Sequence, residues 1–219
     1  MKYQAPFAAV VLAFTLSLTC TCASAQTASN NPMDGVGVAH NSYAGCVVAQ
    51  DPRSQRSPVE VMINECGYPT VRPRDEAIAY YTAFVEQAHT DRALSLTANL
   101  APYRKHFSAA QYAYFENAER ILATSRDADE ADRKLVDLEN AAVAQLGRSD
   151  TDKVVLGGLS TLRRSLQLWG HSSVVTAGPI EVAAADAAGF VVGFLLATEN
   201  KLEAAVANAV EQSVKAALR

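Results

Sequence analysis

The chain has 219 residues, 49% of them hydrophobic and 19% charged, with a formal net charge of −4 at pH 7. That length suits one domain with a real core. Mild acidity, with no basic stripe and no alternation of aromatic and basic residues, excludes the electrostatic footprint of a nucleic-acid binder.

The first 25 residues read as a secretory signal peptide. Lys2 supplies the positive start, Phe7 to Leu18 is a charge-free run, and Ala23-Ser24-Ala25 offers the small residues a signal peptidase needs. A membrane anchor would need about 20 apolar residues, and the run breaks early at Thr19-Cys20-Thr21-Cys22. Acylation at Cys20 or Cys22 is the alternative, but neither has the usual Leu three places before it or a small Gly, Ala or Ser just before it. The expected product is periplasmic or secreted and begins near Gln26. Cleavage leaves two cysteines, Cys46 and Cys66, with one possible pairing, and an oxidising compartment favours that disulfide.

Residues 26–31 are polar and expected to be disordered, and the helical domain is expected over 32–219. A first helix spans Pro32 to about Val48, weakened by Gly35, Gly37 and Gly45. Asp51 to Arg56 is a polar connection. Ser57, Pro58 and Glu60 predict a capped start for a short helix that stops at Gly67. Pro69 and Pro73 keep the next stretch extended. A third helix runs from Arg74 to Thr90, with a possible restart through Leu100, and Pro102 ends it. Ser108 and Gln111 form a second capping box for a helix to about Arg126, with Tyr112, Phe115 and Leu122 inward. The acidic run 127–132 opposes the positive end of the next helix, whose inner face is Leu135, Leu138, Ala142 and Leu146.

The clearest helix follows. Val155, Leu159, Leu162, Leu166 and Trp169 make a bundle seam, with Arg163 and Arg164 pointing away and Gly157 and Gly158 as close-packing positions. After a turn at 171–178, Pro179 starts a helix rich in Ala and Gly. The last helix, about Glu199 to Leu218, carries Leu202, Val206, Val210, Val214 and Leu218. No strand-type alternation and no long repeat appears. The prediction is an all-α, single-domain bundle of about seven helices.

Strong catalytic and cofactor signatures are missing, so no cofactor and no metal is expected. His89 with Asp91 reads as a surface helix end, and Tyr103-Arg104-Lys105-His106 as a solvated loop. One cluster stands out in the run Asn31-Pro32-Met33-Asp34-Gly35-Val36-Gly37-Val38-Ala39-His40-Asn41. Asp34, Gly37 and Asn41 share a helix face, and His40 lies beside them. An Asp near a His can orient an imidazole as a base; the blander and preferred reading is a buried polar stripe with a glycine that admits another helix.

That N-P-x-D-x-x-G-x-x-H-N run, just after an export signal, resembles an uncharacterised group of bacterial exported proteins and lipoproteins. The resemblance extends to Asp186-Ala187-Ala188-Gly189 in a small-residue helix and to Leu168-Trp169, where Leu168 departs from an expected Tyr. It implies a bacterial origin and an all-helical fold, and carries no activity.

Ala185, Gly189 and Gly193 form a small-xxx-small ladder of the kind seen in membrane helices. The charge-free stretch around it, 187–198, is too short to span a bilayer, so a buried core helix is the default reading, and the membrane alternative for 179–218 is a hairpin that inserts after a conformational change. Asp186 is a charge in an otherwise apolar helix and needs a partner. The first helix is therefore expected to pack on residues 183–193, with His40 or Asn41 reaching Asp186. Three functions follow in order of preference: a binding or interaction role with an unknown protein or envelope partner, a membrane-active hairpin, and a hydrolase using Asp34 and His40.

Overall fold

In the computed structural model the described residues are 29–53, 55–172 and 178–218. The signal segment, the possible acylation sites and most of the 171–178 turn lie outside them. The described chain is all-helical, as expected, but divided more finely. It comprises α1 (Asp34–Gln50), α2 (Pro58–Asn64), α3 (Arg74–Gln87), α4 (Leu96–Leu100), a 3-10 turn (Ala101–His106), α5 (Ala109–Thr124), α6 (Ala128–Gln145), α7 (Asp150–Trp169), α8 (Pro179–Leu196) and α9 (Lys201–Ala217).

The local rules account for most boundaries. The Ser108–Gln111 capping box is formed on both sides, and Asp127 caps α6 by accepting from the Glu130 amide. Ser149 and Asp152 make a further box at the start of α7. The box expected at Ser57 is absent: the Ser57 side chain makes no cap bond, and Pro58 in the first turn starts α2 without it. The expected third helix stops at Gln87, and its restart is the separate α4. There the buried Asn99 side chain donates to the carbonyls of Asp91, Leu94 and Ser95, and so shapes the loop. Helix α4 ends at Leu100, as expected ahead of Pro102, which sits in the first turn of the 3-10 segment.

Helix α8 is apolar on every side, with buried residues all along it from Val182 to Phe194. A helix of that composition belongs in a core, and α7 and α9 pack along it, with α4 also against it. The Ala185–Gly189–Gly193 ladder faces α9. A Cβ on Gly193 would sit 2.9 Å from the Ala205 Cα, and one on Gly189 would sit 3.2 Å from the Ala209 Cα. This corrects the expected packing of the ladder on the first helix, because the chain's own neighbour α9 supplies the close-fitting small-residue face: Ala204, Ala205 and Ala209 are all fully buried. Helix α1 lies instead across α7 and α9.

Cys46 in α1 and Cys66 after α2 are joined by a disulfide with a Cα–Cα distance of 5.9 Å. Tyr68, two residues on, packs edge-on between Tyr43 and Tyr81, and its hydroxyl donates to the Glu203 carbonyl of α9. The covalent tie and this aromatic cluster fix the C-terminal half of α1, the short α2 and α3 against α9.

Candidate functional site

The suspected residues do come together, and they do so with α6, α7, α8 and α9. Segment 29–31, expected to be disordered, is seated on the body. The buried Asn31 donates from Nδ2 to the Leu156 carbonyl at 2.8 Å and accepts from the Met33 amide at 2.9 Å. The Asn30 amide donates to Oδ1 of Asn140. A buried carbonyl in α7 and a free amide at the start of α1 each gain a partner, which outweighs the polar composition.

Asp34 opens α1 and accepts from two arginines. Arg163 Nη2 donates to Oδ1 at 2.6 Å, Arg164 Nε donates to Oδ1 at 3.0 Å, and Arg164 Nη2 donates to Oδ2. Arg163 is 1% exposed and also donates from Nε to the fully buried Glu139 at 3.1 Å. The expectation that Arg163 and Arg164 point away from the seam is thus half right. They leave the α8 side of α7, but α1 and α6 cover them. Burial alone would raise the Asp34 carboxyl. The Arg164 hydrogen bond and charge, helped by Arg163 and Ser160, instead hold it below the usual carboxylate range. Glu139 goes the other way: burial lifts it, and the Ser29 hydrogen bond with the charge and hydrogen bond of Arg163 only partly offset that.

Gly37 is where α1 touches α7. A Cβ there would lie 2.5 Å from Ser160 Oγ and 2.6 Å from the Ser160 carbonyl. One turn on, Asn41 Nδ2 donates to the Arg164 carbonyl at 2.6 Å. That contact turns Asn41 Oδ1 toward His40, whose Nδ1 lies 3.1 Å away. His40 Nε2 points at Asp186, 3.3 Å from Oδ2 with both side chains fully buried, although the alignment falls short of a good hydrogen bond. Oδ2 also accepts from Ser165 Oγ at 2.5 Å and Ser213 Oγ at 2.8 Å. Trp169 Nε1 completes the chain by donating to Ser213 Oγ at 3.0 Å. The expected reach from His40 to Asp186 is therefore present, although α1 makes it while packed on α7 and α9 rather than on the small-residue face of α8.

Chemically this arrangement resembles an oriented imidazole, but Asp34 is not the orienting acid: it is engaged with arginines. The buried His40 has no exposed atom with which to meet a substrate. Sequence reasoning missed Arg163, Arg164, Glu139, Ser165 and Ser213. Polar residues on the core faces of α7 and α9, Ser165 among the leucines of the seam and Ser213 beside Val214, are the signal that marks them. Hollows of about 240 Å³ lie elsewhere, one lined by His89, Thr90, Arg92, Gln212 and Lys215 and one by Thr97, Glu116 and Arg120. Among the described residues no group of three His, Cys, Asp or Glu is placed to hold a metal ion. Compared with models of protein families, with curated proteins and with solved structures, the chain matches none.

Proposed function

We propose that the protein is exported to the periplasm or the medium and acts there by binding a protein or envelope partner, not by catalysis. The observation that carries the second half is the use of the Asn31–Asn41 motif. Asn31, Asp34 and Asn41 bond to α7, and His40 is sealed against α8. A catalytic base needs a solvent-open or substrate-open face, so the hydrolase reading loses its only candidate. The Cys46–Cys66 disulfide supports the first half, since such bonds persist in oxidising compartments.

Residues 179–218 keep a membrane-active reading as the alternative. Helix α8 has 18 residues and a mean hydropathy of 1.7, which meets the length and composition of a span once Glu181 and Asp186 are tolerated inside it; 72% of it is buried in the fold. Three measurements separate these readings. Mass spectrometry of exported protein should find Gln26 at or near the N-terminus, and an acylated Cys20 or Cys22 would replace the soluble form with a lipoprotein. Photocrosslinking in intact cells should give a discrete adduct with an envelope partner. Leakage of dye from anionic vesicles by the mature protein at micromolar concentration would replace the binding reading with the membrane-active one.

A further inference from the structure

We infer that His40 and Asp186 hold a buried proton between them, and that this proton latches the N-terminal half of α1 onto the body. Hydrogen-bond directions at the pair require that proton, whatever partner the protein binds. Asn41 Nδ2 sits 2.6 Å from the Arg164 carbonyl, an acceptor only, so the amide is fixed with Oδ1 toward His40. Oδ1 cannot donate, so the hydrogen between it and His40 Nδ1, 3.1 Å away, belongs to the ring. A neutral imidazole has one hydrogen, and its Nε2 would then present a lone pair to Asp186 Oδ2 at 3.3 Å. That oxygen behaves as a carboxylate acceptor. Ser165 donates to it, and Ser213, whose oxygen accepts from Trp169, donates its own hydrogen to it as well. Two lone pairs facing each other in a site with no exposure are repulsive and unscreened. A second ring hydrogen on Nε2 turns the contact into an imidazolium–carboxylate pair.

The other charges packed around the pair are already matched. Asp34 on α1, Arg163 and Arg164 on α7 and Glu139 on α6 form one network, and Glu211 on α9 pairs with Lys215 at 2.7 Å. None of them supplies the missing hydrogen. The latch acts on a weak stretch. Gly35 and Gly37 lower the helix propensity of the first two turns of α1, whereas the Cys46–Cys66 bond anchors the far end to α2. Loss of the proton therefore loosens residues 35–41 while the rest of α1 stays tied. The docked state binds one more proton than the loosened one, so docking weakens as pH rises.

Hydrogen exchange of the oxidised protein tests this. After correction for intrinsic exchange, the opening constant of the amides of residues 35–41 should climb toward tenfold per pH unit between pH 6 and pH 9, while amides of α7 show no such slope. Asp186→Asn places an amide donor before the neutral ring, so its opening constant should be flat over the same range. Equal slopes in the two proteins would overturn the latch. Nitrogen-15 NMR of the wild-type ring at pH 6 gives a second reading that needs no variant: hydrogens on both His40 nitrogens support the proposal, and a hydrogen on one alone overturns it.

Discussion

Two glycines two positions apart ask opposite things of the same helix. Nothing lies within 4 Å of a Cβ built on Gly35, but one built on Gly37 meets Ser160 Oγ at 2.5 Å, the Ser160 carbonyl at 2.6 Å and Arg164 Cγ at 2.7 Å. Alanine is favoured over glycine by about 1 kcal/mol within a helix. Gly35→Ala should therefore raise stability by up to about 1 kcal/mol. Gly37→Ala should lower it by about 2 kcal/mol, because the backbone of α7 cannot turn away as a side chain can. Chemical denaturation of the three proteins checks both signs, and two stabilising substitutions would mean α1 does not seat on α7. His40→Ala removes a fully buried ring and strips Asp186 of its partner at once. A loss of about 3 kcal/mol is expected, read as a lower denaturation midpoint with an unchanged helical circular dichroism spectrum before unfolding. A variant as stable as the parent would remove the structural role assigned to His40.

At the level of elements, the disulfide is the tie that most outweighs its size. Helix α2 has seven residues, too few to persist alone, and α1 carries three glycines. Closing a loop with a sequence separation of 20 residues restricts the unfolded chain by about 3 kcal/mol. The Cys46→Ser, Cys66→Ser double variant should lose roughly that much, with exchange protection falling first in α1 and α2 and last in α8. Uniform loss across the molecule would show that the two helices do not form a separable unit. This region also shows what could be read from residues alone. The pairing of Cys46 with Cys66, the seam of α7 and the apolar α8 were legible, because each depends on composition or on a 3.6-residue period. The partner of each face was not. Ala185, Gly189 and Gly193 announce a close approach without naming the neighbour, and α9 outcompetes α1 for it. Likewise Arg163 and Arg164 lie off the apolar stripe, which reads as solvent exposure until Asp34 and Glu139 arrive from 129 and 24 residues away. Asp34, His40 and Asp186 were legible as a cluster because buried charge demands partners. Their structural use, rather than a catalytic one, follows from burial that no single segment reveals.

For the whole molecule, acid should act chiefly through carboxylates that the fold keeps ionised. The bond and charge of Arg164, with Arg163 and Ser160, overcome burial and hold Asp34 low; the Ser149 hydroxyl and the Gln111 amide hold Asp152 low. A carboxyl whose folded value is depressed contributes stability that is complete above its unfolded value, about 3.9 for Asp. That contribution drains away as pH falls through the folded value. Glu139 runs opposite. Its folded value is raised by burial, so its contribution is present at low pH and lost as pH rises through that raised value, which blunts any gain in stability there. Asp34 is the more telling of these groups because it joins α1 to α7 and, through Arg163, to α6. Asp34→Asn should cost about 2–3 kcal/mol at pH 7, since two guanidinium groups lose a charged acceptor and Arg163 is nearly inaccessible to water. The gap between variant and parent should then narrow as pH is lowered below about 4, because a protonated Asp34 is close to an asparagine in shape and charge. Urea denaturation of both proteins in half-unit steps from pH 7 to pH 3 measures that gap. A difference that stays constant down to pH 3 would mean that the Asp34 carboxylate is not what binds α1 to α7, and that the N-terminal motif is held by its packing and amide contacts alone.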